Sequence, residues 1–180
     1  MQKYRLEMIK NHKDLWEIIT DKALPGQAYL YLINDYHGKQ KYRIDPISFS
    51  VVSNQITRQV QSVVHDDNVN IWNDQNWMQK RAQCNPLKLP LSTYEIQPKS
   101  WKKMGFTHVE MYSILEHTDR WEYGYQVSNY FAPSRFNVQC DDLKYLIDNL
   151  HQNNIGVIPD WVPTHFKYYH FFSSIFNIIT

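Results

Sequence analysis

Residues Ile155–Phe166 read IGVIPDWVPTHF, and this stretch decides the fold. Gly156-Val157-Ile158 is a short apolar run entered from a helical pattern, which predicts a strand buried in a parallel sheet. Asp160, Pro163 and His165 follow it directly. Polar side chains at the carboxyl end of a buried parallel strand are where α/β barrels assemble their sites. The segment before it, Asp141–Asn153, predicts a helix. Leu143, Leu146, Ile147 and Leu150 fall at i, i+3, i+4 and i+7 on one face. Asp141 and Asp142 stand in the first turn, where the helix dipole favours negative charge. Asn153-Asn154 and Gly156 mark the end.

Working outward, Thr93–Ile96 and Thr107–Ile114 predict two further strands of the same sheet. Between them the sequence offers no helix, and a crossover between adjacent parallel strands needs about a dozen residues. The two strands are therefore not expected to be adjacent parallel neighbours in the usual right-handed way. Pro159 falls inside the last strand, where a central position would cost a ladder hydrogen bond. Glu116 and Asp119, with His117 between them, are expected as solvated loop charges, and His108 and Glu110 as ordinary strand residues.

Nearer the N-terminus, Leu15–Ile19, Ala28–Ile33 and Tyr42–Ile44 read as strands separated by the Pro25-Gly26 and Asp35–Gly38 turns. Trp16, Tyr29 and Tyr31 are candidate sugar-stacking rings, although aromatics in strands are mostly core. Residues 51–90 read as polar and irregular, an extended connection with Pro86 and Pro90. Trp72 and Trp77 would pin that connection to the parallel strands beyond it.

Composition narrows the function. Nineteen Lys and Arg against eighteen Asp and Glu leave a net charge of +1, which argues against nucleic acid or an acidic membrane as partner. Six Trp and thirteen Tyr lean mildly toward carbohydrate. The two cysteines, Cys84 and Cys140, have no metal-like spacing and read as reduced thiols of a cytoplasmic protein. The charged N-terminus carries no signal peptide, and no run approaches the roughly 18 apolar residues of a membrane span.

These segments also resemble a family. DWVPTHF is similar to the first signature region of the α-amylase superfamily. GFTHVEMYSILEH, YGYQVSNYFAPSRF and DDLKYLIDNLHQNNIGVI resemble the 1,4-α-glucan (glycogen) branching enzymes within it, and the resemblance covers residues 14–166 in order. It implies a fold of class α/β plus β. Residues 1–62 would be part of a carbohydrate-binding-type β-sandwich, with DLWEIITDKALPGQAYLYLINDYHGKQKYRIDP as its later strands. Residues 63–90 would be a linker, and residues 91–166 the first three strands of an incomplete (β/α)₈ barrel. A complete barrel needs about 250 residues. Residues 167–180 form a tail with no counterpart in the family. Gln97 and Lys99 stand where the family usually has histidine and glycine.

The resemblance also implies a chemistry. The family cuts an α-1,4-glucan through a covalent glycosyl intermediate and transfers it to a 6-hydroxyl, without a cofactor. Such retaining chemistry needs two carboxyl groups about 5–5.5 Å apart. The family supplies them after its fourth and fifth barrel strands, beyond the last strand matched here. No residue is therefore expected to be catalytic, and no metal site is expected. The substrate-binding residues that the resemblance carries over are Tyr125, which would stack on the sugar ring, His165, which would hydrogen-bond its hydroxyls, and Asp160, which would hold its neighbours in place. The expectation is a piece of a branching enzyme with an α-glucan as partner, catalytically inactive by itself. A non-catalytic glucan-binding module and a remnant without function are the alternatives.

Overall fold

The computed structural model describes residues 5–68, 70–96, 105–121 and 123–163. The expectations for Gln97, Lys99, His165 and the 167–180 tail lie outside the described residues.

The N-terminal part is built from short antiparallel pairs. β1 (Ile9–Lys10) pairs with β2 (Trp16–Glu17). β3 (Ala28–Tyr29) and β4 (Tyr31–Asn34) are consecutive, but the chain leaves one sheet for another between them. β4 pairs with β5 (Gln40–Arg43) around the Asp35 turn, where the Asp35 carboxylate accepts from the amides of His37 and Lys39. Residues 51–63 are not irregular. β6 (Val51–Ser53) and β7 (Val60–Val63) form a hairpin, and β3 joins the other edge of β7. The polar Asn54–Gln59 stretch that suggested a loop is its turn, with the Asn54 side chain accepting from the amides of Ile56 and Thr57.

A helix, α1 (Gln75–Gln83), also interrupts the expected extended connection. It buries none of its residues, so no apolar stripe announced it. Contacts to a later element hold it instead. The Trp77 ring stacks on His151 at 3.7 Å, and His151 Nδ1 lies 2.6 Å from Asp74. The pinning role expected of Trp77 is thus met.

The core lies in the second half of the chain. β8 (Thr93–Ile96), β9 (His108–Met111) and β12 (Gly156–Pro159) form a three-stranded parallel sheet in the order β12-β9-β8. β8 and β9 are direct parallel neighbours, with Thr93 opposite His108. The reason is length. Each strand has only four residues, about 13 Å, while residues 97–107 can reach about 36 Å fully extended. No helix is needed to bring the chain back. Pro159 also costs nothing here. The amides of Gly156 and Asp160 donate to the carbonyls of Thr107, just before β9, and Met111, at its end, so the intervening odd positions face away from it. β12 is an edge strand among the described residues, and Pro159 turns its missing N–H to that edge.

α2 (Cys140–Gln152) packs on one face of this sheet as its apolar stripe requires. Ile96, Val109, Met111, Ile114, Leu150 and Ile155 form the core, with Leu143 and Leu146 against them. Asn154, at φ 59°, takes the left-handed position that ends the helix, and the Ile155 amide donates back to Leu150. The stretch expected as a loop, residues 115–119, begins with β10 (Leu115–His117), which pairs antiparallel with β11 (Val127–Pro133). Among the described residues no helix is long and apolar enough to cross a membrane.

Candidate functional site at the carboxyl ends of the parallel strands

The segments TYEI and HVEM follow the same plan, with glutamate at the third position. Their parallel register sets Glu95 directly beside Glu110. Side chains alternate along a strand, so these two share the face opposite Tyr94, Ile96, Val109 and Met111, which are turned to the core. Ile158 of β12 is the third member of the row. The amide of Asp160 donates to the Met111 carbonyl at 3.1 Å, extending the ladder one step past β12. That bond brings the Asp160 side chain to the same end of the sheet.

Three carboxyl groups therefore converge. Glu110 faces Asp160 across the end of the sheet. The Glu110 pKa is raised, first by lost hydration, then by the bond and charge of Asp160 and the charge of Glu95. Tyr125 faces the same cluster. Its hydroxyl pKa is raised by lost hydration and by the charges of Asp160, Glu95, Tyr112 and Glu110.

The loop that delivers Tyr125 is fixed by a close approach. Ser113 leaves β9 in the left-handed conformation, at φ 58°. Gly124, at φ 79°, lies against it so closely that a Cβ there would sit 2.5 Å from the Ser113 Cα. The Asn137 side-chain amide donates to the Ser113 carbonyl at 2.9 Å and holds the other side. The segment after Asp160 is anchored by the Tyr130 hydroxyl, which donates to the Val162 carbonyl at 3.0 Å. It leaves the Trp161 ring exposed. Exposed rings beside carboxyl groups can stack on the apolar faces of a sugar while the carboxyls bond its hydroxyls.

Of the residues carried over by resemblance, Tyr125 and Asp160 meet at this end of the sheet, and His165 lies outside the described residues. Glu95, Glu110 and Trp161 were not singled out as site residues. The matching third-position glutamates of TYEI and HVEM were the available signal.

Glu116 is not a solvated charge. It is fully buried on β10, ion-paired with the Arg135 guanidinium, and accepts from the Arg135 amide at 2.8 Å. Arg135 also donates to the His117 carbonyl. His117 is buried, and its Nδ1–H donates to the Leu115 carbonyl at 2.9 Å. These residues hold the turn between β11 and α2. The Tyr29 and Tyr31 hydroxyls both donate to Asp45, and the two rings pack edge to face. Trp16 remains 64% exposed.

No family model matches the chain. It is 33% identical over 176 residues to the 1,4-alpha-glucan branching enzyme GlgB of Rhodopirellula baltica, covering 84% of this chain and 24% of that protein. It is 36% identical over 186 residues to the enzyme of the same name from Albidiferax ferrireducens, covering 90% of this chain and 29% of that one. A crystal structure of a Salmonella typhimurium protein described as an alpha amylase superposes with a TM-score of 0.63 at 18% identity, over 88% of this chain and 29% of that one. The likeness to that structure supports the fold alone. By sequence, the chain belongs with the 1,4-alpha-glucan branching enzymes and spans about a quarter of the length of the relatives it matches.

Proposed function

We propose that these 180 residues are the portion of a branching-enzyme-type protein that shapes one wall of the glucan site and carries none of its catalytic carboxylates. In this reading residues 1–62 belong to a β-sandwich module, residues 63–90 link it onward, and residues 91–166 supply the first three strands of a (β/α)₈ barrel. The whole enzyme would cut an α-1,4-linked chain and rejoin it to a 6-hydroxyl. This chain alone would do neither. Glu95, Glu110 and Asp160 do not stand in for the missing pair. They crowd at the end of one three-stranded sheet, and among the described residues no second wall places a carboxyl across a sugar from them.

The observation that supports the reading is the meeting of Tyr125 and Asp160 at the carboxyl ends of β8, β9 and β12. Barrel enzymes build their sites on that side. Incubation of the folded protein with amylose tests it. No α-1,6 linkage is expected to form, and linkages that accumulate in proportion to protein would overturn the reading.

Glucan binding without chemistry is a second reading, favoured by the exposed rings of Tyr125 and Trp161 beside the acid cluster. It predicts retarded migration in a native gel containing glycogen. Tyr125→Ala should abolish the retardation, and Trp16→Ala should leave it unchanged.

A further inference from the structure

A second cluster joins the end of β7 to the start of α2. His65 follows β7 by two residues, and its side chain is only 10% exposed. The Phe49 ring meets it edge-on at 6.3 Å. Cys140 and Asp141 open α2. His65 Nε2, Cys140 Sγ and Asp141 Oδ1 all lie within 4.8 Å of one another. Asp67 Oδ1 is 3.5 Å from His65 Nε2, the same distance as Asp141 Oδ1.

A cation already reaches this point. Lys144 Nζ lies 3.1 Å from both His65 Nε2 and Asp67 Oδ1. An ammonium group has donors only, so its contact with Nε2 requires a lone pair there. That is the form of imidazole that binds metals. Asp141 Oδ1 is buried beside it and accepts no hydrogen bond.

We propose that His65, Cys140 and Asp141, completed by Asp67, form a Zn²⁺ site in which the metal replaces the Lys144 ammonium. A thiolate, an imidazole and carboxylates are a donor set for zinc, whereas magnesium and calcium take oxygen ligands. Zinc bonds of about 2.0–2.3 Å in a tetrahedron put ligand atoms about 3.3–3.8 Å apart. The His65–Asp141 separation of 3.5 Å already meets that spacing, and the thiol lies within 4.8 Å of both ligand atoms. On binding, the Cys140 S–H bond breaks, its proton passes to water and the S–Zn bond forms, with no change of oxidation state. Lys144 is partly exposed on a flexible stem and can turn outward. Asp67, Cys140 and Lys144 line a groove of about 960 Å³, which gives the ion a way in. The metal would tie the N-terminal hairpin to α2, so it would act on stability.

Titration of the reduced, metal-free chain with Co²⁺ tests the site. One equivalent should bind and give visible tetrahedral bands with a thiolate charge-transfer band in the near ultraviolet. The charge-transfer band should persist in C84S and vanish in C140S, and H65A should weaken binding at least tenfold. K144M keeps every ligand and removes the competing cation, so it should tighten binding severalfold. Zn²⁺ should displace Co²⁺ and raise the melting temperature of the wild type but not of C140S, and Mg²⁺ should do neither. The proposal is overturned if folded wild-type protein gives no thiolate band, if C140S keeps the band, if C84S loses it, or if K144M binds no more tightly than wild type.

Discussion

Asp45 is a single residue on which two parts of the chain converge. Its carboxylate accepts from the Tyr29 and Tyr31 hydroxyls at 2.6 and 3.1 Å and from the Ile47 amide. Its carbonyl accepts from Ser48 and from Asn129 on β11. Burial first, and then Asp45, push the Tyr31 hydroxyl up to about 12, and both act on Tyr29 in the same direction. A tyrosine whose pKa is raised by folding resists ionisation only in the folded state. Stability is therefore unaffected below the ordinary value of 10 and falls as pH rises from there toward 12. Asp45→Asn should lower both tyrosine titrations, read as phenolate absorbance against pH. Unchanged titrations would mean that burial alone sets them. At the sheet end the sign concerns a carboxyl. Glu110 is raised, so the folded state is disfavoured once Glu110 ionises, and stability drops as pH climbs through its titration. Asp160→Asn removes the neighbouring charge and should bring the Glu110 titration down, as followed by carboxyl NMR shifts. The resemblance singled out Tyr125 and Asp160, whose charges act on one another at this end of the sheet. Nothing local marked Glu110, because its perturbation comes first from lost hydration and then from Asp160 and Glu95, which only register brings near.

Among the elements, α2 and β12 were readable because their signals are local. The apolar stripe, the acidic first turn and the short apolar run each lie within one segment. α1, β6, β7 and β10 lacked such signals, being short, polar or held from a distance. Glu116 shows why. Its partner Arg135 lies nineteen positions along the chain, so nothing near Glu116 marks it as buried. Breaking a buried pair leaves one charge uncompensated, at a cost of about 3–5 kcal/mol. Glu116→Ala should lose about that much in urea unfolding. The double replacement Glu116→Met with Arg135→Met should lose clearly less, and equal losses would show that packing rather than charge is responsible. The turn before β11 makes a second prediction. At Gly124 an alanine would meet the Ser113 backbone at 2.5 Å in a left-handed conformation. Gly124→Ala should therefore destabilise by more than about 1 kcal/mol. Gly26 has the same φ region but open space around it, so Gly26→Ala should cost less.

On the scale of the molecule, the chain is a set of small sheets around one parallel sheet and its helix. Long apolar side chains such as Ile19, Ile56, Leu87 and Trp121 stay almost wholly exposed. The sequence relationship covers most of this chain but about a quarter of the relatives. In the function proposed above, Tyr125, Trp161, Glu95, Glu110 and Asp160 would line one side of a sugar site, and the retaining reaction needs a carboxyl on each side of the scissile bond. The most direct test is proton NMR of amylose after prolonged incubation with the purified, folded chain. The account predicts an anomeric region that keeps only α-1,4 signals. A new α-1,6 signal that grows with protein concentration and is lost in Asp160→Asn would contradict it, and would place catalytic carboxylates within these residues.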